Sequence, residues 1–251
     1  MSNVKISAAI IARNESENIP DAIKSLDFVD QIVVADTGSA DDTMEIARNL
    51  GAEVHRVEFE GFGKTKNKAL GYCSGDWILF IDADERVTPE LAKQIKNIDC
   101  SNNAPAGFEI NRLTYFLGKP IRHSGWYPDY ILRFFKRGNG RFTSNLVHEQ
   151  VAVEGPVHKL DGLLLHYSYK DIEQYLDKMN EYSSLSAREM HEKGKRFNPL
   201  DPLIRPGLIF IKMFIFKAGF LDGFHGFILA VLSSYHVFIK YIKLFRLRTK
   251  Q

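Results

Sequence analysis

The stretch Gly75-Asp76-Trp77-Ile78-Leu79-Phe80-Ile81-Asp82-Ala83-Asp84-Glu85-Arg86 constrains this chain more than any other. Five apolar residues between Gly75 and Asp82 read as a strand buried on both faces, as in a parallel sheet. In an extended chain Asp82 and Asp84 point to the same side. They stand at the carboxyl end of a strand, where open α/β sheets bind ligands. Two such carboxylates repel unless a divalent cation, itself held by phosphate oxygens, lies between them. An isolated Asp-x-Asp is more often just an acidic loop, so the surrounding segments decide.

Those segments alternate. Val4–Ala12 reads as a strand, and Glu15–Leu26 carries Ile19, Ala22, Ile23 and Leu26 at helical spacing, with Pro20 in the first turn. Gln31–Ala35 is a second strand. Ser39 followed by Asp42 resembles a capping box for a helix with Met44, Ala47 and Leu50 on its buried stripe. A third strand over Ala52–Val57, a helix opened by Gly61-Phe62-Gly63, the Trp77–Ile81 strand and a helix begun by Thr88-Pro89-Glu90 complete the series. The expected fold class is α/β, a mostly parallel, Rossmann-like sheet flanked by helices, followed by a C-terminal helical extension.

Polar groups follow these strands: Asn14 and Glu15 the first, Asp36 the second, Asp82 and Asp84 the fourth. Strand ends gather on one edge, so these residues should converge on a ligand. Asp36 can accept hydrogen bonds from a base edge or ribose; alternatively Asp36-Thr37-Gly38-Ser39 is turn chemistry. Lys64 and Lys68, four residues apart, share a helix face that either meets phosphate or is simply solvated. The chain contains neither Gly-x-Gly-x-x-Gly nor Gly-x-x-x-x-Gly-Lys-Ser/Thr, which argues against dinucleotide and P-loop sites. Cys73 and Cys100 have no metal-ligand spacing and suggest a reducing compartment. The apolar run after Lys5 is short and enters Arg13-Asn14-Glu15, so no secretory signal is expected.

Ile10-Ile11-Ala12-Arg13-Asn14-Glu15, Val33-Val34-Ala35-Asp36-Thr37-Gly38-Ser39-Ala40-Asp41-Asp42-Thr43 and Asp82-Ala83-Asp84-Glu85 resemble family 2 glycosyltransferases of the GT-A fold. His123-Ser124-Gly125-Trp126-Tyr127-Pro128-Asp129, Arg133-Phe134-Phe135, Val147-His148-Glu149 and Leu165-His166-Tyr167-Ser168-Tyr169 narrow the likeness. They resemble bacterial lipopolysaccharide core glycosyltransferases that add a β-linked glucose to heptose. The likeness runs from about Ile6 to Lys243. A Gln-x-x-Arg-Trp, the mark of processive synthases in this family, is absent, so a single transfer is expected.

The resemblance implies a nucleotide-sugar donor, UDP-linked first of all, and Mg²⁺ or Mn²⁺ as cofactor. By it Asp36 contacts the base, Asn14 and Glu15 the nucleoside pocket, Lys64 and Lys68 the nucleotide more weakly. Asp82 touches ribose and metal, Asp84 binds the metal across the diphosphate, and His166 is a late metal ligand. It also implies an acceptor loop over Gly125–Asp129. Inverting transfer is an in-line displacement, and a carboxylate must take the acceptor proton. Glu149 is the first choice for that base and Asp129 the second; a surface strand residue and a turn residue are the alternatives. His166, ending Leu163–Leu165, is either ligand or packed histidine. Trp126 and Tyr127 either stack on a sugar or pack in a core.

Residues 1–193 are expected to form the transferase domain, with a nucleotide half (1–100) and an acceptor half (101–170). Asp171–Met190 should be a helix packed on it, and Gly194–Gly207, with three prolines, an elbow. Residues 194–251 are the helical basic tail: from Leu203 onward eight Lys/Arg face one acid, about +7, against about −5 before it. Leu208–Phe216 is too short to span a bilayer. In Phe227–Phe245, Ile228, Val231, Leu232, Tyr235, Phe238, Ile239, Ile242 and Phe245 form one face, with Ser233, His236, Lys240 and Lys243 opposite. That pattern suits an interfacial helix, with Lys240, Lys243, Arg246, Arg248 and Lys250 meeting anionic lipid, or else a helix docked on its own domain. The expected place of work is the cytoplasmic face of the inner membrane, on a lipid-anchored acceptor, with no nucleic acid involved. Two other classes fit parts of the pattern: an aspartate-nucleophile phosphatase, and a non-catalytic membrane-surface module on a transferase fold.

Overall fold

A computed structural model describes residues 4–98, 105–143, 150–169 and 171–249. Its elements are β1 (Ile6–Ala12), α1 (Ile19–Lys24), β2 (Gln31–Asp36), α2 (Thr43–Asn49), β3 (Glu53–Arg56), α3 (Phe62–Gly71), β4 (Trp77–Asp82), β5 (Glu85–Val87) and α4 (Pro89–Lys96). There follow β6 (Gly107–Phe116), β7 (Lys119–Pro120), β8 (Asp129–Lys136), β9 (Gly140–Phe142), β10 (Val151–Val153) and β11 (Val157–Tyr169). The chain ends in α5 (Ile172–Glu192), α6 (Asp201–Ile211), a π turn (Lys212–Phe216), a 3₁₀ turn (Gly219–Asp222) and α7 (Phe224–Thr249).

The chain divides into two compact units. Met1–Arg112 with Asp129–His166 form the first, Leu113–Pro128 with Tyr167–Gln251 the second. The sequence places a boundary near residue 193; in the structure α5 and the 113–128 segment belong with the tail instead. Their side chains explain it: Tyr175 and Met179 of α5 pack with Leu229 of α7 and Ile121.

In the first unit the strand order is β3-β2-β1-β4-β8-β6-β11-β5, parallel from β3 through β4 and antiparallel where β8 joins β4 and β6 and where β5 joins β11. Strand β4 lies between β1 and β8 and is buried on both faces, as its apolar run predicts. The pleat splits it. Trp77, Leu79 and Ile81 join the core beneath α1 and α4, whereas Ile78 and Phe80 join the core with Ala69 of α3 and Phe142 of β9. By the same alternation Asp82 emerges on the α3 side.

Local expectations differ at two helix starts. Ser39 does not cap α2: the N-cap is Asp42, without a side-chain bond, because Ser39 is turned back to Asp36. The proposed elbow is partly helical, since α6 begins at Asp201. Pro202 falls where its missing N–H costs nothing, and Pro206 sits inside the helix.

In the second unit α5 and α7 pack along each other, from Met179 near Leu229 to Ala187 near Leu244. The inward side of α7 carries polar groups among Leu229, Ala230, Tyr241 and Leu244. Lys243 Nζ donates to Asn180 O at 2.7 Å, Asn180 Oδ1 at 2.6 Å, Ser183 Oγ at 2.7 Å and Ser184 Oγ at 2.8 Å. Arg248 donates to Lys195 O at 2.6 Å, and Tyr175, its phenol pushed up to about 12 by burial, is hydrogen-bonded to Ser233. Burial, and then the charges of Lys240 and Lys243, lowers the His236 pKa. Lys243 and Arg248, expected at lipid, are thus engaged by protein; Lys250 lies outside the described residues.

Gly162 sets how closely α4 rests on β11: a Cβ there would stand 2.5 Å from Leu91 Cα, while its N–H donates to Gln94 Oε1 at 2.9 Å. Gly162→Ala should therefore destabilise the fold by about 1–3 kcal/mol in denaturant titration.

Candidate active site

The strand-end loops of the first unit are stitched together by backbone donors and short polar side chains. Asp36 is fully buried and accepts the N–H groups of Gly38 and Ser39 at 2.9 Å each, together with the Ser39 hydroxyl. Asn14, at φ 55°, donates its N–H to Ser39 Oγ at 2.9 Å and accepts from Ala40 N at 2.8 Å through Oδ1. Glu15 donates its N–H to Thr43 Oγ1 at 2.8 Å, and its carboxylate accepts from Asn18 Nδ2 at 2.7 Å. Asn14, Glu15 and Asp36 do converge, and Asp36 shapes the loop with both carboxylate oxygens.

At the end of β4 the chain does not stay extended: Ala83 and Asp84 form a turn before β5. Arg86 rivets it, donating from Nη1 to Ala83 O and Glu85 O at 2.9 Å each. Asp82 and Asp84 consequently have different partners. Asp82 Oδ1 lies 3.3 Å from Lys66 Nζ, and its Oδ2 lies 2.6 Å from Arg133 Nη2. Burial alone would raise the Asp82 pKa, but the charges of Lys66, Arg133 and His166 outweigh it and hold the carboxyl well below its usual range. Asp84 Oδ2 lies 3.3 Å from His166 Nε2, which β11 delivers opposite Glu85.

Behind them stands Glu85, whose side chain is wholly buried. Its carboxylate accepts the Asp82 N–H at 2.9 Å and pairs with Arg133 at 3.3 Å and Arg112 at 3.5 Å. Arg112 then holds Asp129 through Nε at 2.9 Å and Nη2 at 2.8 Å. A cavity of about 540 Å³ is lined by Lys66, Asp82, Arg112, Tyr130, Arg133 and Phe142 among others. It is large enough for a small polar ligand.

Lys66, Glu85, Arg112 and Arg133 are the residues sequence reasoning missed. Lys66 had a signal: Gly63, Lys66 and Ala69 fall at steps of three on the buried side of α3, with Lys66 over the rings of Phe80 (5.2 Å) and Phe142 (5.3 Å). Lys64 points to solvent, and Lys68 pairs with Glu60 at 2.7 Å on the surface. The structure therefore brings Lys66, not Lys64 or Lys68, to Asp82. Glu149 lies outside the described residues. In the second unit Trp126 packs at ring-centroid distances of 6.1 Å from both Phe116 and Tyr169, and Tyr127 lies 5.8 Å from the Arg122 guanidinium.

For a divalent metal the donors that fit are Asp84 and His166, an oxygen and a nitrogen side by side, with Asp82 next along the chain. Among the described residues no group of three His, Cys, Asp or Glu is gathered to hold a metal by protein alone. Such a site would need oxygens from a ligand such as a diphosphate.

The split between the two aspartates is testable. Asp82→Asn removes the carboxylate charge that Lys66 and Arg133 share and should cost about 3 kcal/mol. Asp84→Asn should cost about 1 kcal/mol or less. Because the Asp82 pKa is depressed in the folded state, its contribution is complete above the unfolded value near 4 and is lost only as pH falls through the lower native value. Urea melts at neutral and acidic pH check both statements.

Comparison with known proteins identifies the family and the fold. Residues 7–151 match the model of glycosyl transferase family 2. The chain is 31% identical to an uncharacterized glycosyltransferase of Rickettsia typhi, over 98% of this chain and 88% of that protein. It is 29% identical to the lipopolysaccharide core biosynthesis glycosyltransferase LpsC of Rhizobium meliloti, covering 96% and 92%. In structure it is similar to a mannosyltransferase from Pyrobaculum calidifontis solved with GDP-Man and Mn²⁺, with TM-score 0.56, 12% identity and coverage of 98% and 88%. The GT-A sheet, the strand-end carboxylates and these matches agree: the chain belongs to glycosyl transferase family 2.

Proposed function

We propose that this transferase moves a single glucose, with inversion, from a UDP-sugar to a lipid-anchored lipopolysaccharide core acceptor at the cytoplasmic face of the inner membrane. The observation that carries the reading is the strand-end junction at β4. There Asp84 and His166 lie together, while Lys66, Asp82 and Arg133 line a cavity. The similarity to the Rhizobium meliloti enzyme supports the acceptor class.

In this reading Asn14, Glu15 and the loop shaped by Asp36 receive the nucleoside. Asp84 and His166, with Asp82, would hold Mg²⁺ or Mn²⁺. When bound, the metal would neutralise charge on the leaving diphosphate. Lys66 and Arg133, fixed by Asp82, set two cations beside that position at no reorganisation cost. Trp126 and Tyr127 would meet the acceptor sugar.

The base is Glu149. Asp129, the other candidate, is ion-paired through Oδ2 to both Nε and Nη2 of Arg112, which suits a positioning group more than a proton acceptor. The aspartate-nucleophile phosphatase reading gives way to the family match over residues 7–151.

Glu149→Gln should lower kcat by roughly 10²–10⁴-fold with donor affinity nearly unchanged, and Asp129→Asn should act more mildly. Asp84→Asn should abolish the Mn²⁺-dependent part of UDP-glucose binding measured by calorimetry. An Asp129→Asn enzyme that is dead while Glu149→Gln turns over would reverse the assignment of the base.

A further inference from the structure

The last helix of the second unit is apolar on two sides: Leu229, Ala230, Tyr241 and Leu244 are buried, and a second apolar row is exposed. Ser233 and Lys243 of α7 are bonded to α5, as described above. Val231, Tyr235, Phe238, Ile242 and Phe245 recur at steps of four, three, four and three, so they share one face, and each is exposed. A helix with apolar rows on both its docked and its exposed side does not have the pattern of a water-facing helix.

The segment before α7 continues the pattern. Helix α6 buries only Pro202. Ile204, Leu208, Ile211 and Ile215 fall at steps of four, three and four along α6 and the π turn, all exposed, while Phe216 and Phe224 are 79% and 71% exposed. Phe210 and Phe214 tie this segment to α7 through Phe227, at ring-centroid distances of 5.9 Å each. An apolar area of this extent on a protein surface calls for a covering partner.

Charge identifies the partner. Between residues 194 and 249 there are two acids: Asp201, paired with Arg205 at 2.6 Å, and Asp222, which is buried. Arg196, Lys212, Lys217 and Arg246 are exposed in the same stretch. An apolar face fringed by unopposed cations is complementary to an anionic lipid surface.

Orientation follows from α5. Helix α7, of 26 residues, is long and apolar enough to cross a membrane. However, α5 lies along it, burying Tyr175, Met179, Ser183 and Ala187, and by helical spacing its exposed Glu173, Asp177, Glu181, Arg188 and Glu192 project from the far side. A spanning α7 would carry those charges into hydrocarbon.

We propose that the exposed faces of α6, the π turn and α7 lie together in the plane of an anionic lipid surface, inserted to headgroup depth, with α5 on the water side. This rests on and deepens the membrane reading of the transferase: to the apolar face expected on α7 it adds that of α6 and the π turn, and it no longer needs Lys243 and Arg248. It also places the acceptor loop. Ser124 N–H donates to Lys217 O at 2.9 Å, Asp222 accepts from Arg122 N at 3.1 Å and His123 N at 2.9 Å, and Lys119 Nζ donates to Asp222 O at 2.8 Å. The loop that would meet a lipid-anchored glycan is thereby fastened to the element that would meet the lipid.

The test uses the full chain and phosphatidylglycerol–phosphatidylcholine vesicles. A Leu208→Ser, Phe216→Ser, Phe238→Ser variant changes only exposed side chains. It should lose at least about tenfold in vesicle partition, including the part that survives high salt. Lys212→Gln with Lys217→Gln should lose binding at low salt only. Phe216→Trp fluorescence should be quenched by lipids brominated near the headgroup and little by lipids brominated near the chain ends.

Unchanged partition of the triple-Ser variant, deep quenching of Phe216→Trp, or a parent that ignores anionic vesicles would each overturn the proposal. So would sedimentation velocity showing a lipid-free dimer that the triple-Ser variant abolishes while vesicle binding is unaltered, since the face would then be a subunit interface. Calorimetry of UDP-glucose with Mn²⁺ on the same preparations separates the two readings. Vesicle binding without nucleotide binding would sink the transferase specifics and leave the docking face standing.

Discussion

The ion-pair chain Lys66–Asp82–Arg133–Glu85–Arg112–Asp129 is the interaction on which the catalytic unit depends. It joins α3, β4, β5, β6 and β8, elements far apart in sequence, through groups that are largely out of water. Charges so placed are tolerated only when each finds a counter-charge at close range. Arg133 and Arg112 each stand between two carboxylates, so a change at one member is felt by its neighbours. Its function is to fix Asp82 in position, and with it the turn that carries Asp84.

That division of labour separates the two aspartates of the motif. Asp82 is oriented inward by the pleat of β4 and is used to hold the junction together. Asp84 sits past the strand, in a turn pinned by Arg86, beside the histidine that β11 supplies. A ligand arriving at this edge meets one carboxylate already neutralised by protein and another paired with an imidazole.

The second unit obeys a different constraint. Lys243 is held by oxygens of Asn180, Ser183 and Ser184 beside the buried Tyr241 and Leu244, so polar and apolar side chains of α7 dock together on α5. The apolar row from Val231 to Phe245 is left on the other side. Periodicity finds apolar rows and cannot say which of them is covered, because the pattern is the same whether a row meets a neighbouring helix or not.

Much of the fold was legible from local pattern: the βα alternation, the buried β4, the helix started by Thr88-Pro89, and the existence of α5. These depend on spacing within a few residues, which sequence displays directly. The convergence of Asn14, Glu15, Asp36, Asp82 and Asp84 at one edge also followed, since parallel strands end together. Tertiary structure decided the rest. Whether Lys64, Lys66 or Lys68 reaches Asp82 depends on the rotation of α3 against the sheet, and that is fixed by packing around Ala69 and Phe142. The partnership of Glu85 with Arg112 and Arg133 depends on antiparallel strands added after β4, whose register no local pattern encodes. A residue's type and spacing were written in the chain; which charge it would be buried against was settled only when distant strands came together.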